Sequence, residues 1–326
     1  MRNHLFFLLC LSLGGCKPKA QKDPMSMNTQ QAVLEYQIAA QLGEGPFWNH
    51  QTLELYWVDI EGKLLHIYDP VIRTDRTFPM PSRIGTVVPA GAEEALVALK
   101  DGIYKINTRT AMISLFCPLE ADLPDNRFND GKCDPAGRLW VGSMDLGTTK
   151  PTGALYRIDP DGKATKMLDS ITISNGIAWT SDQKTMYYID TPTRQIRAYD
   201  YDHTSGDISN ERVAVEVPRA LGHPDGMAID EEDKLWVGIW GGHCVARFDP
   251  RTGQLLSKIE VPALNVTSCA FGGANLDTLY ITTASTDMTE EEQLAYPIAG
   301  ALFKAVPGVR GVKSAFFGGP GNGQGR

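Results

Sequence analysis

From residue 34 onward the chain repeats one pattern of apolar and polar positions. Short alternating runs rich in Val, Ile, Tyr and Trp recur: LYWVDI at 55–60, LWVGSMD at 139–145, MYYIDT at 186–191, LWVGIW at 235–240 and LYITTAS at 279–285. A weaker member, ALVAL, sits at 95–99. Each is followed by a second run: LLHIYDP at 64–70, GIYKIN at 102–107, ALYRIDP at 154–160, QIRAYDYD at 195–202, CVARFDP at 244–250 and ALFKAVP at 301–307. β-Branched and aromatic side chains suit a pleated, half-buried surface, and Asp-Pro or Asp-Tyr with a nearby Gly supplies turns. Each pair therefore predicts two strands.

A third run precedes each pair and opens on a polar residue followed by Gly: Glu44-Gly45, Asp130-Gly131, Asn175-Gly176 and Asp225-Gly226. Ile84-Gly85 and Ser268-Cys269 fill the two remaining slots. The residues leading the six pairs are 40, 46, 45, 50 and 43 positions apart. Several strands per repeat at a period of about 40–50 predict a propeller of four-stranded blades around a channel. A sandwich imposes no such spacing. The expected fold class is all-β, a six-bladed β-propeller over residues 33–317 with a metal site at its centre. Val33 to Ala39 are placed to pair with the last blade, which removes two open edges. The tail at 318–326, GGPGNGQGR, reads as disordered.

Composition narrows the function classes. Of 326 residues, 42% are hydrophobic, enough for a large core, while 32 Gly and 20 Pro leave little room for long helices. The formal charge of −8 argues against a nucleic-acid partner and suits a cation or a neutral small molecule.

The amino terminus reads as an address. Arg2 precedes an apolar stretch, Leu5 to Leu13, too short to span a bilayer but suited to a secretory leader. Leu13-Gly14-Gly15-Cys16 resembles the lipobox of bacterial lipoproteins, so residues 1–15 are expected to be a signal peptide and Cys16 the lipidated residue. Residues 16–32 then form a polar tether. Lys17, rather than Asp, after the cysteine favours the outer membrane, facing the periplasm, with membrane contact only through the lipid. Cys117, Cys133, Cys244 and Cys269 lack CxxC spacing and are expected as buried free thiols.

In a propeller the starts of the inner strands converge near the axis, which gathers Glu44, Ile84, Asp130, Asn175, Asp225 and Ser268. Like charges crowded there repel, and a cation is the simplest remedy. Carboxylate and amide oxygens suit Ca²⁺ first, with Mg²⁺ or Mn²⁺ next. Zn²⁺ is less favoured, since no two of the six His share ligand spacing. His223 reads as a loop residue beside the site and Trp240 as a pocket wall. Trp48, Trp57, Trp140, Trp179 and Trp236 read as core, and Glu290-Glu291-Glu292 as a solvated loop. No GxSxG elbow, phosphate loop or dinucleotide fingerprint is present.

GEGPFW at 43–48, NRFNDGKCDPAGRLWVGSM at 126–144, SNGIAW at 174–179, YYIDT at 187–191, HPDGMAID at 223–230, KLWV at 234–237 and TSCAFGG at 267–273 resemble the regucalcin/gluconolactonase (senescence marker protein) family. The resemblance runs from about residue 40 to 307. It implies a six-bladed propeller that opens sugar lactones with one axial divalent cation, Ca²⁺ first and Mg²⁺, Mn²⁺ or Zn²⁺ after it. It implies further that Glu44, Asn175 and Asp225 ligate the metal, that Arg127 and Asn129 contact substrate, and that Asp225 is the catalytic base. Asp130, next to that set, is counted with the substrate contacts. One departure stands out: where the animal members place an acidic substrate contact, this chain has Gly147, with Asp145 nearby. Two other readings use the same residues, a broader esterase or organophosphate hydrolase and a non-catalytic lipid-anchored propeller that binds cations or a partner.

Overall fold

Each repeat folds into a sheet of four antiparallel strands, as the spacing predicts, in a computed structural model that describes residues 28–319 together with Met1. The expected leader, the expected lipidation site Cys16 and most of the expected tether lie outside the described residues, as do positions 320–326. Blade one comprises Gly43–Asn49, Glu54–Asp59, Leu64–Asp69 and Thr74–Pro79 from axis to rim. Its inner strand is wholly buried, whereas its outer strand shows mostly exposed side chains. That gradient explains why the second strand of each repeat reads as a nearly continuous apolar run. Both its faces are covered by neighbouring blades.

Blades two to five follow in chain order, with inner strands Val87–Pro89, Asn126–Cys133, Ser174–Trp179 and His223–Ile229. Blade six begins at Asn265–Gly272 and takes its outermost strand, Val33–Tyr36, from the start of the ring. Leu34 pairs with Phe303 in that ladder, so the ring closes non-covalently and loses two sheet edges. Residues 28–31, assigned to the tether on polarity, instead add a parallel fifth strand to blade five, Asn28 opposite Ser257 and Gln31 opposite Glu260. A ladder needs only backbone donors and acceptors on an open edge, which polar residues supply as well as apolar ones.

The space between blades is filled by the aromatic residues of the repeats. Trp140, Trp179 and Tyr201 meet edge to face at 5.9, 6.4 and 6.0 Å. Asp134, fully buried, accepts hydrogen bonds from Trp140 Nε1 at 3.0 Å and the Tyr201 hydroxyl at 2.8 Å. Asp230 repeats the device with Trp236 Nε1 at 2.9 Å. Cys117, Cys133, Cys244 and Cys269 are buried free thiols. The acidic trio 290–292 opens a short helix, Glu290–Ala295, rather than a loop, because Thr289 and Glu292 form a reciprocal capping box.

After Leu302–Ala305 the chain crosses the end of the ring away from the inner-strand starts. The Gly311 N–H bonds to the Leu276 carbonyl at 2.8 Å, and the Phe317 N–H bonds to the Pro89 carbonyl at 2.9 Å. This strap therefore runs from blades five and six to blade two. Phe316 and Phe317 anchor it in the core of blades one to three. Gly318, assigned to the tail by composition, donates to the Gly137 carbonyl at 2.9 Å and belongs to the strap.

Ring closure rests partly on Glu35. Its buried carboxylate accepts the Tyr68 hydroxyl at 3.0 Å and pairs with Lys304 at 2.7 Å, tying the closing strand to blades one and six. Glu35→Ala strands both partners, and we expect a loss of about 1–3 kcal/mol in urea denaturation; a change within error would remove this pair from the closure.

Candidate functional site

A blade stands edge-on to the axis, so regular alternation aims its side chains at the neighbouring blades. Five inner strands break that alternation at one level. In blade four Ser174 faces Asp190 and Ile177 faces Tyr188, three steps against two. The same extra residue lies between Glu44 and Phe47, Phe128 and Gly131, Pro224 and Met227, and Val266 and Ser268. Each is a β-bulge, which re-aims a side chain out of the pleat. The polar-Gly pairs belong to these bulges. Gly45 has a φ of +54°, and a Cβ on Gly226 would lie 2.1 Å from Ser268 Oγ. Without glycine the bulges could not pack this close to the axis.

The bulges open onto a cavity of about 610 Å³ at the inner-strand starts. Glu44, Asn175 and Asp225 line it together with Arg127 and Asn129. The side chains pin one another in sequence. Arg127 Nη1 donates to Asn129 Oδ1 at 2.6 Å, Asn129 Nδ2 to Asn175 Oδ1 at 3.1 Å, and Asn175 Nδ2 to Thr191 Oγ1 at 2.8 Å. The Thr191 hydroxyl then donates to the Pro224 carbonyl at 2.8 Å, next to Asp225. With its nitrogen so engaged, the orientation of the Asn175 amide is fixed, its oxygen accepting from Asn129.

Carboxylates ending the second strands hold the approach segments. Asp59 accepts from the Gln41 and Leu42 N–H groups, both at 3.0 Å, just ahead of Glu44. Asp190 accepts from Ile173 at 2.9 Å, just ahead of Asn175.

Glu44 and Asp225 come within hydrogen-bonding reach of each other while buried. Burial and the charge of Asp130 push the Glu44 carboxyl up to about 8. Burial, then Glu44 and Asp130, hold Asp225 well above the usual carboxylate range. Burial lowers the Arg127 guanidinium to about 10, so it remains charged at neutral pH. Among the described residues no three His, Cys, Asp or Glu side chains cluster as a metal site. The axial donors are two carboxylates and one amide oxygen, an all-oxygen set that fits a hard divalent cation and would relieve the raised pKa values.

Residues 42–285 match the family described as SMP-30/Gluconolactonase/LRE-like region. The chain belongs to the SMP-30/gluconolactonase family. It is 42% identical over 274 residues to a putative sugar lactone lactonase, YvrE, of Bacillus subtilis, covering 84% of this chain and 94% of that one. It is 37% identical over 281 residues to regucalcin of Danio rerio, covering 83% and 93%. Among solved structures, a calcium-binding protein, regucalcin, from Agrobacterium tumefaciens superposes with a TM-score of 0.85 at 27% identity, covering 89% of this chain and 99% of that one.

Within this SMP-30/gluconolactonase fold, most sequence-derived site residues meet at the cavity, but the ring of six does not. Asp130 is not part of the wall. Register places Asn129, one residue earlier, in the bulge slot equivalent to those of Asn175 and Asp225, and Asp130 accepts from its own Gly131 N–H at 2.8 Å, as Glu44 does from Gly45 at 3.0 Å. Ile84 is fully buried in the core, and Ser268 packs against Gly226. Near Gly147, Leu146 and Thr148 face the cavity, whereas Asp145 accepts from the Thr149 and Lys150 N–H groups at 3.3 Å. Trp240 and His223 are wall residues. Arg194 Nη1 lies 3.0 Å from His223 Nδ1. Sequence reasoning missed Thr191, which ends the YYIDT run, and the ion pair of Arg83 with Glu61 at 2.8 Å on the cavity wall.

Carboxyls with raised folded pKa values keep protons that the unfolded chain releases near pH 4. Cation-free stability should therefore be full below about pH 4 and fall as pH rises toward about 8, by up to about 1.4 kcal/mol per pH unit for each retained proton. Urea denaturation from pH 5 to 9 tests this, and saturating Ca²⁺ should flatten the slope; a flat cation-free profile would contradict the axial strain.

Proposed function

We propose that this protein hydrolyses sugar-type lactones with one divalent cation, Ca²⁺ first, held by Glu44, Asn175 and Asp225. The observation that carries the reading is the convergence of these oxygen donors with Arg127 and Asn129 in one cavity. The Bacillus subtilis relative's name, a sugar lactone lactonase, supports the substrate class, and the calcium-binding Agrobacterium protein supports the cation. When bound, the cation supplies a Lewis acid for the lactone carbonyl and lowers the pKa of water.

The chain's own residues do the rest. The volume of about 610 Å³ suits one sugar ring. Arg127, fixed by Asn129, offers its remaining N–H groups to ring hydroxyls and to the oxyanion that develops as water adds to the carbonyl carbon. A carboxylate oxygen of Asp225 takes the proton of that water. As the ring C–O bond breaks, the proton passes from Asp225 to the departing ring oxygen, which becomes a hydroxyl, and the new carboxylic acid gives its own proton to solvent and leaves as a carboxylate. Trp240, Ile173 and Leu146 supply an apolar wall that limits water, and Thr148 offers a neutral hydroxyl beside Gly147.

In pH-indicator turnover of a lactone panel, with Ca²⁺, Mg²⁺, Mn²⁺ or Zn²⁺ returned to stripped protein, Asp225→Asn should lower kcat by about 10²–10⁴-fold with the β circular-dichroism spectrum intact. Arg127→Met should cost about 10²-fold in kcat/KM. Full turnover by a folded Asp225→Asn variant would refute the mechanism.

A further inference from the structure

A second cavity, of about 220 Å³, lies at the opposite end of the axis. Strap residues 312–315 cover it, and the late portions of the inner strands wall it, including Lys132, Ala178, Ala228 and Cys269. Its charge is unusual for this chain. The wall holds two lysines, Lys132 and Lys313, and no Asp or Glu, in a protein of formal charge −8. The first cavity, by contrast, is lined by four acidic residues, Glu44, Glu61, Asp225 and Asp287, against two arginines, Arg83 and Arg127.

Lys132 has donors to spare, and Lys313 at the cavity wall is exposed to solvent. Lys132 Nζ donates to the Met227 carbonyl at 2.7 Å and makes no other hydrogen bond among the described residues, although it feels the charge of Asp130. A lysine ammonium carries three donors, so two remain available. Lys313, delivered by the strap, has no hydrogen-bond or ion-pair partner among the described residues, and the same holds for the Ser314 hydroxyl beside it. Burial works against the charged form of Lys132, which makes a counter-ion there more favourable than at an open surface.

We propose that this cavity is a binding site for one small oxyanion, a carboxylate or inorganic phosphate, held between Lys132 and Lys313 with the Ser314 hydroxyl as a further donor. Lys132, Lys313 and the Ser314 hydroxyl all line this one cavity, so each can offer a charge-assisted or neutral hydrogen bond to such an anion, and a volume of about 220 Å³ suits a small one. The site is separate from the lactone cavity and does not depend on the lactonase reading.

The test is calorimetric titration of cation-free protein with sodium acetate and, separately, sodium phosphate, against chloride at matched ionic strength. Saturable binding of either anion is expected, and the anion that saturates identifies the source. Lys313→Ala alters an exposed side chain and should weaken binding about tenfold or more. Lys132→Met should abolish it, while Asp225→Asn, in the other cavity, should leave it unchanged. The proposal is overturned if neither anion saturates, if Lys313→Ala binds as tightly as the parent, or if Asp225→Asn removes binding.

Discussion

In a ring of blades the free edge of each inner strand faces the channel, and a regular strand presents backbone, not side chains, to that edge. Chemistry at the axis therefore requires a local break in the pleat. Five inner strands supply one at the same level, each by a single extra residue. The bulges set which side chains reach the cavity, and the glycines beside them allow neighbouring strands to approach. The anchors Asp59 and Asp190, and the amide chain from Arg127 to Thr191, refine positions that the bulges have already chosen.

Bringing Glu44 and Asp225 together is costly without a cation, since two buried carboxylates in contact cannot both ionise freely. The fold accepts this strain because each carboxylate sits on a different blade, locked by its own ladder. The result is a site assembled by the ring as a whole and not by any one repeat. The two ends of the channel differ in charge, with four acidic residues and two arginines at one mouth and two lysines without an acidic residue at the other.

Much of this was legible in the sequence. Blade number, strand pairs and the closing strand follow from periodicity, because a buried sheet leaves a regular apolar signature. Glu44, Asn175 and Asp225 were found because each lies beside a glycine at repeat spacing. Asp130 satisfied the same pattern yet misses the cavity: side-chain direction reverses with every residue, so a one-position offset in the bulge exchanges Asp130 for Asn129. Residues 28–31 and the strap escaped detection for another reason. Their places depend on backbone pairing with distant edges, which leaves little mark on local composition.

The closing strand also dictates an order of assembly. Val33–Tyr36 pairs with Leu302–Ala305, so the outermost strand of blade six is made first and used last. During synthesis it must wait for almost the whole chain to emerge. Blades one to five can form from contacts within each repeat, but the ring stays open until this long-range contact is made. Joining such distant segments adds an entropic cost that local hairpins do not carry. Completion of the circle is thus a late, slow event, and the edges of blade six remain uncovered until then.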